Sequence, residues 1–69
     1  MEEVFIRDEH IKLGQALKLC GAVSSGLEAK IYINEGLVKV NGETELRRGR
    51  KLYAKDIDEF DENTIVIEE

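Results

Sequence analysis

The chain has 69 residues, a formal net charge of −5, and 42% hydrophobic against 36% charged residues, which excludes a disordered chain and points to one domain, residues 1–69, around a small core. No apolar run approaches the ~20 residues of a membrane helix, and the acidic start MEEVFIRDEH lacks the basic-then-apolar order of a secretory leader, so a cytoplasmic, membrane-free protein is expected. A lone cysteine, Cys20, allows no internal disulfide and offers no metal-ligand spacing, so no metal or other cofactor is expected.

Val4 and Ile6 share one face of a period-two stretch and read as a short half-buried strand. Near the other end, NTIVIEE places Ile65 and Ile67 on one face, so two strands of matching pattern could pair and tie down both termini. Between them, IKLGQALKLC (11–20) sets Leu13, Ala16, Leu17 and Cys20 on one helical stripe, with Gly21 as the left-handed stop. Gly14 costs about 1 kcal/mol against alanine inside a helix, which puts it in the first turn or at a close packing contact. A second helix follows in SSGLEAKIYINEG. Ser25 and Glu28 form a capping-box pair, Gly36 is the C-terminal stop, and Ala29, Tyr32, Ile33 and Leu37 face inward. The short loop between the helices makes them a close, angled pair. Val38 and Val40 flank Lys39 in a strand that turns at Asn41-Gly42, a dipeptide whose two members both accept positive φ. Leu52 and Ile57 read as core positions of the short strands beyond.

The charge is unevenly spread. Residues 1–9 carry net −3 and residues 56–69 net −7, whereas 10–55 carry net +5, and RRGRK (47–51) is the densest basic run. A basic centre between acidic ends is a pointer to nucleic acid, although composition alone favours reading such a run as a solvated loop.

Taken together, IKLGQALKLCGAVSSG, AKIYINEGLVKVNG and RRGRKLY, in this order over roughly residues 11–60, resemble the RNA-binding domain first seen in ribosomal small-subunit protein S-four, and most of all its stand-alone bacterial members. The resemblance implies an α+β fold of the alpha-L type, two packed helices against a small, mainly antiparallel sheet, presenting a cationic surface to structured RNA. Position by position it assigns RNA contact to Lys12, Ser25, Lys30, Asn41, Arg47, Arg48, Arg50 and Lys51. Gly26 stands where many members have arginine, and Lys55-Asp56 where they have Gly-Asp.

The residues themselves extend that set. Arginine meets phosphate bidentately or stacks on a base, and Gly49 lets backbone approach. Lys18 and Lys39 can join the same face. Ser24 and Ser25 sit at a helix N-terminus, where free N–H groups suit a phosphate, while plain capping is the favoured reading of the Ser25 side chain. Tyr53, beside the basic run, is the candidate for stacking on an unpaired base. Catalysis is not expected, because the only histidine, His10, and Cys20 form no plausible reacting pair and no phosphate-cradling glycine loop is present. The expected partner is RNA, ribosomal or otherwise structured, with the ribosomal subunit as the setting and the protein a monomer. The resemblance implies ribosome assembly or ribosome-associated quality control as the setting, and, without an appended catalytic domain, action as a chaperone-like placeholder or adaptor. The alternative is a protein-interaction adaptor on the same fold. The acidic tail DIDEFDENTIVIEE could be a solvated strand face, a repellent to non-target nucleic acid, or a dock for a basic protein.

Overall fold

The computed structural model describes all 69 residues, Met1–Glu69. Its two terminal strands do pair. β1 (Glu2–Phe5) runs parallel to the last strand of the chain, Asn63–Glu68, with Val4 opposite Ile67 and Glu2 opposite Ile65. Between them the chain forms β2 (Ile11–Lys12), α1 (Leu13–Leu19), α2 (Gly26–Asn34), β3 (Val38–Val40), β4 (Glu43–Thr44), β5 (Lys51–Leu52) and β6 (Ile57–Phe60), before closing with β7 (Asn63–Glu68). A five-stranded sheet of order β1-β7-β6-β3-β4, antiparallel apart from β1, is accompanied by the small antiparallel pair β2-β5.

The helices cover one face of the larger sheet. Leu13, Ala16 and Leu17 of α1 and Ala29 and Ile33 of α2 are buried against Val4, Val38, Val40, Ile65 and Ile67 in a single cluster of 13 buried apolar residues. Each largely buried aliphatic side chain stabilises the fold by roughly 1.5–3 kcal/mol, the main return available to so small a domain. The other face of the sheet has no covering layer.

Several local expectations are met. Gly21 (φ 82°) and Gly36 (φ 79°) adopt the left-handed conformation that ends the helices, and Asn41 (φ 52°) with Gly42 (φ 86°) makes the hairpin turn between β3 and β4. The capping box is shifted by one residue. Ser25 Oγ accepts the Glu28 N–H at 3.1 Å, but the Glu28 carboxylate reaches back to the Ser24 N–H at 3.0 Å.

Three expectations are corrected. The first helix begins at Leu13 rather than Ile11, because Ile11 and Lys12 are drawn into a ladder with Leu52 and Lys51. Leu37, placed inward from its spacing, is 51% exposed, since the chain leaves the helix axis at Gly36. On β6 it is Asp58 that is fully buried, with Ile57 only half-buried. The register sets Asp58 between Val40 and Ile65 on the helix side and turns Ile57 to the open side beside Val66.

Candidate nucleic-acid interface

The first turn of α1 has a blocked end. Its leading N–H groups do not face solvent: the Leu13 N–H donates to the Arg50 carbonyl at 2.8 Å and the Gly14 N–H to the Arg48 carbonyl at 3.1 Å. The basic run is therefore docked by its own backbone onto the helix and satisfies donors that helix geometry leaves free. Gly14 makes this approach possible, because a Cβ there would lie 2.8 Å from Arg48 Cγ.

A buried carboxylate fixes the same run from below. Glu45 is 6% exposed and accepts from Arg47 Nε at 2.9 Å and from an Arg50 guanidinium nitrogen at 2.7 Å. Hydrogen bonds from Arg47 and then Arg50 hold the Glu45 carboxyl down to about 2. Two of the arginines in RRGRK thus share one carboxylate within the protein, and nothing in the local sequence marks Glu45 as their partner rather than Glu43.

What remains is a groove of about 280 Å³ between α1, the start of α2 and the docked loop. Lys12, Lys18 and Arg48 stand around it with Gln15, Gly14, Gly26 and Gly49, and no apolar side chain lines it. None of the three cations has a carboxylate within 4.0 Å. With three cations free of carboxylates and two glycines, Gly26 and Gly49, that leave backbone open, the groove suits a phosphodiester backbone. Gln15, which the sequence did not single out, also accepts the Lys12 N–H through Oε1 at 3.2 Å. Its place on the solvent side of α1, one position from the apolar stripe, was the available signal.

The other residues marked from sequence lie elsewhere or are otherwise occupied. Lys51 is the cross-strand neighbour of Lys12 and is exposed at the margin. Ser24 and Ser25 are engaged by Glu28, whose carboxylate accepts the Ser24 N–H and hydroxyl and whose N–H donates to Ser25 Oγ. Lys30 is exposed on α2, away from the groove lining. Lys39 belongs to the open sheet face, opposite Glu59 and Thr44 in the register. Asn41 is used internally: its amide donates to Asp56 at 3.2 Å and accepts the Ile57 N–H at 3.0 Å. Asp56 also accepts the Tyr53 N–H at 2.8 Å, closing a turn in which Lys55 takes φ 80°, the conformation that glycine adopts without strain. Tyr53 is 43% exposed and packs against His10, with ring centroids 5.9 Å apart. No three His, Cys, Asp or Glu side chains are grouped to hold a metal ion, and no helix is long and apolar enough to cross a membrane.

Known proteins share both sequence and shape with this chain. RlbA of Bacillus subtilis (strain 168), named a probable ribosome maturation protein, is 47% identical over 58 residues, covering 84% of this chain and 82% of RlbA. YbcJ of Escherichia coli (strain K12), which bears the name of an RNA-binding protein, is 49% identical over 45 residues, 65% of this chain and 64% of YbcJ. The solution structure of E. coli YbcJ, described as revealing an alpha-L motif involved in RNA binding, superimposes with a TM-score of 0.77 at 34% identity, over 100% of this chain and 89% of YbcJ. The family model described as S4 domain, the S-four domain of the sequence resemblance, matches residues 4–68, and the chain belongs to that family.

Proposed function

We propose that this protein is a non-catalytic, monomeric RNA-binding module of the cytoplasm that holds structured RNA, ribosomal RNA foremost, by its phosphate backbone, and that it acts in ribosome maturation. The observation that carries this reading is the set of three free cations, Lys12, Lys18 and Arg48, around a groove without apolar lining or a carboxylate partner. The names of RlbA and YbcJ support it. The contact set differs from the one that charge density suggested. Arg48 is the member of the basic run that faces RNA, while Arg47 and Arg50 anchor the loop through Glu45.

The test is binding of ribosomal RNA fragments across a salt series, for wild type and for a Lys12→Ala, Lys18→Ala, Arg48→Ala triple variant. Wild type is expected to lose affinity steeply with salt. The variant is expected to bind more weakly and to show a logarithmic salt slope smaller by roughly two to three, since each phosphate left without its cation lowers the slope by about one. An unchanged slope in the triple variant would remove the groove from the interface.

A second reading is favoured by one feature. The open sheet face gathers Glu3, Glu59 and Glu68 around half-buried Ile57 and Val66, a surface fit for a basic protein segment. A variant with those three glutamates changed to glutamine that lost a protein partner but kept RNA binding would establish an adaptor role.

A further inference from the structure

Gln15 stands on a ridge of α1 between two hollows. On one side is the cationic groove, reached by Lys18. On the other, a hollow of about 310 Å³ shares Gln15 and is walled by Phe5, Ile11 and Leu19, with Arg7, Asp8 and His10 at its rim. Phe5 and Leu19 are each 67% exposed, so the fold makes little use of either in its core. His10 in turn packs on Tyr53, which adds an aromatic pair at the margin.

The two hollows differ in chemistry. The groove holds three cations, no acid and no apolar wall, which suits phosphates. The hollow holds one cation, one carboxylate and an apolar wall, which offers an anion little and offers a flat neutral ring both a surface and hydrogen-bonding groups of either sense. In RNA recognition, phosphate contacts position the ligand, whereas unpaired bases supply the apolar faces and readable edges. A single helix of ~10 Å diameter separates the hollows, a distance short enough for one RNA strand to occupy both.

We infer that this hollow receives an unpaired base of the RNA whose backbone lies in the groove, so that the preferred ligand is a helix carrying a bulged or flipped-out nucleotide rather than a continuous duplex. This rests on the RNA reading of the groove. It gives Phe5 and Leu19 the role of contact surface, Gln15 that of the shared wall, and Arg7, Asp8 and His10 that of edge contacts.

The experiment compares two RNAs of equal length and charge, a hairpin with one bulged nucleotide and the same hairpin with an abasic residue at the bulge. Each is titrated against wild type and a Phe5→Ala, Leu19→Ala double variant at several salt concentrations. Both side chains are mostly exposed, and a thermal melt verifies that the variant is folded. Wild type is expected to bind the base-bearing bulge about tenfold more tightly, within the range known for base stacking on side chains. The double variant is expected to bind both RNAs equally, with the salt slope of wild type. Equal wild-type affinity for the two RNAs at a steep salt slope overturns the inference while leaving the groove intact, and hands the hollow to a protein contact. A double variant that keeps the preference also overturns it. Absence of salt-dependent binding to either RNA overturns the groove reading and this inference together.

Discussion

Glu45 and Asp58 are the two buried carboxylates of this fold, and their surroundings are opposite. Glu45 lies under the basic loop and receives two guanidinium groups, which hold its carboxyl down to about 2. Asp58 lies under the helices between Val40 and Ile65, neither of its oxygens has a partner, and burial pushes its carboxyl up to about 7, with the nearby Asp56 adding to the rise. Burial alone therefore does not determine what a carboxylate does. The first organises a surface loop by staying charged, and the second is tolerated in the core to the extent that it is neutral.

The sharpest way to break this contrast is Asp58→Asn, which mimics the protonated acid. Because the folded state raises the Asp58 pKa above its ordinary 3.8, the folded state binds more protons than the unfolded state between about pH 4 and 7, and wild-type stability should fall as pH rises through that window. The variant should lose this slope and be more stable than wild type at pH 8 by up to about 4 kcal/mol, at ~1.4 kcal/mol per pH unit. Denaturant titrations at pH 4, 6 and 8 measure it, and a wild type that is equally stable at all three would show that Asp58 is not desolvated.

Glu45→Gln attacks the other half and should do less, because Arg47 is largely solvated. The depressed Glu45 pKa gives stability that is complete above about 4.5 and is lost as pH falls towards 2. At neutral pH the glutamine variant should lose about 1 kcal/mol, and it should lack the wild-type decline below pH 4.5. Its RNA affinity should also fall, since the loop that carries Arg48 is released. Thermal melts between pH 2.5 and 7 with one binding isotherm at neutral pH would check both effects, and unchanged affinity would separate loop order from binding.

The smallest change, Lys55→Gly, serves as the reference. It relieves a left-handed backbone and touches neither carboxylate, so it should stabilise the protein by up to ~1 kcal/mol by the same amount at every pH. A pH-dependent gain would mean that the Lys55 charge, beside Asp56, takes part in the Asp58 titration.

Much of the frame could be read from local pattern. Asn41-Gly42, Ser25 with Glu28, and the matched alternation of Val4 with Ile65 and Ile67 each depend on short-range chemistry, and each appears in the structure as a turn, a cap and a strand pair. Failures came where a distant partner decides. Ile11 heads the stretch read as the first helix, although it lies off the apolar stripe, and its ladder to Leu52 places it in a strand instead. Asp58 reads as a solvent-facing residue next to an apolar Ile57 until β3 and β7 set the register. The four cations of the basic run looked equivalent. Which of its arginines face the groove depends on Glu45 and on the close approach at Gly14, two features that exist only once the loop is docked.

The pairing of β1 with β7 bears on the order of events during synthesis. Glu2 meets Ile65 across 63 residues of chain, so β1 emerges well before its sheet neighbour β7 is made. At cellular elongation rates of ~5–20 residues per second, β1 waits roughly 3 to 13 s for that neighbour. Through this interval it is an unpaired edge, and Glu2 and Glu3 give it like charges that discourage pairing with the same segment of another nascent chain. The like charges of β1 are thus in place before its sheet neighbour exists.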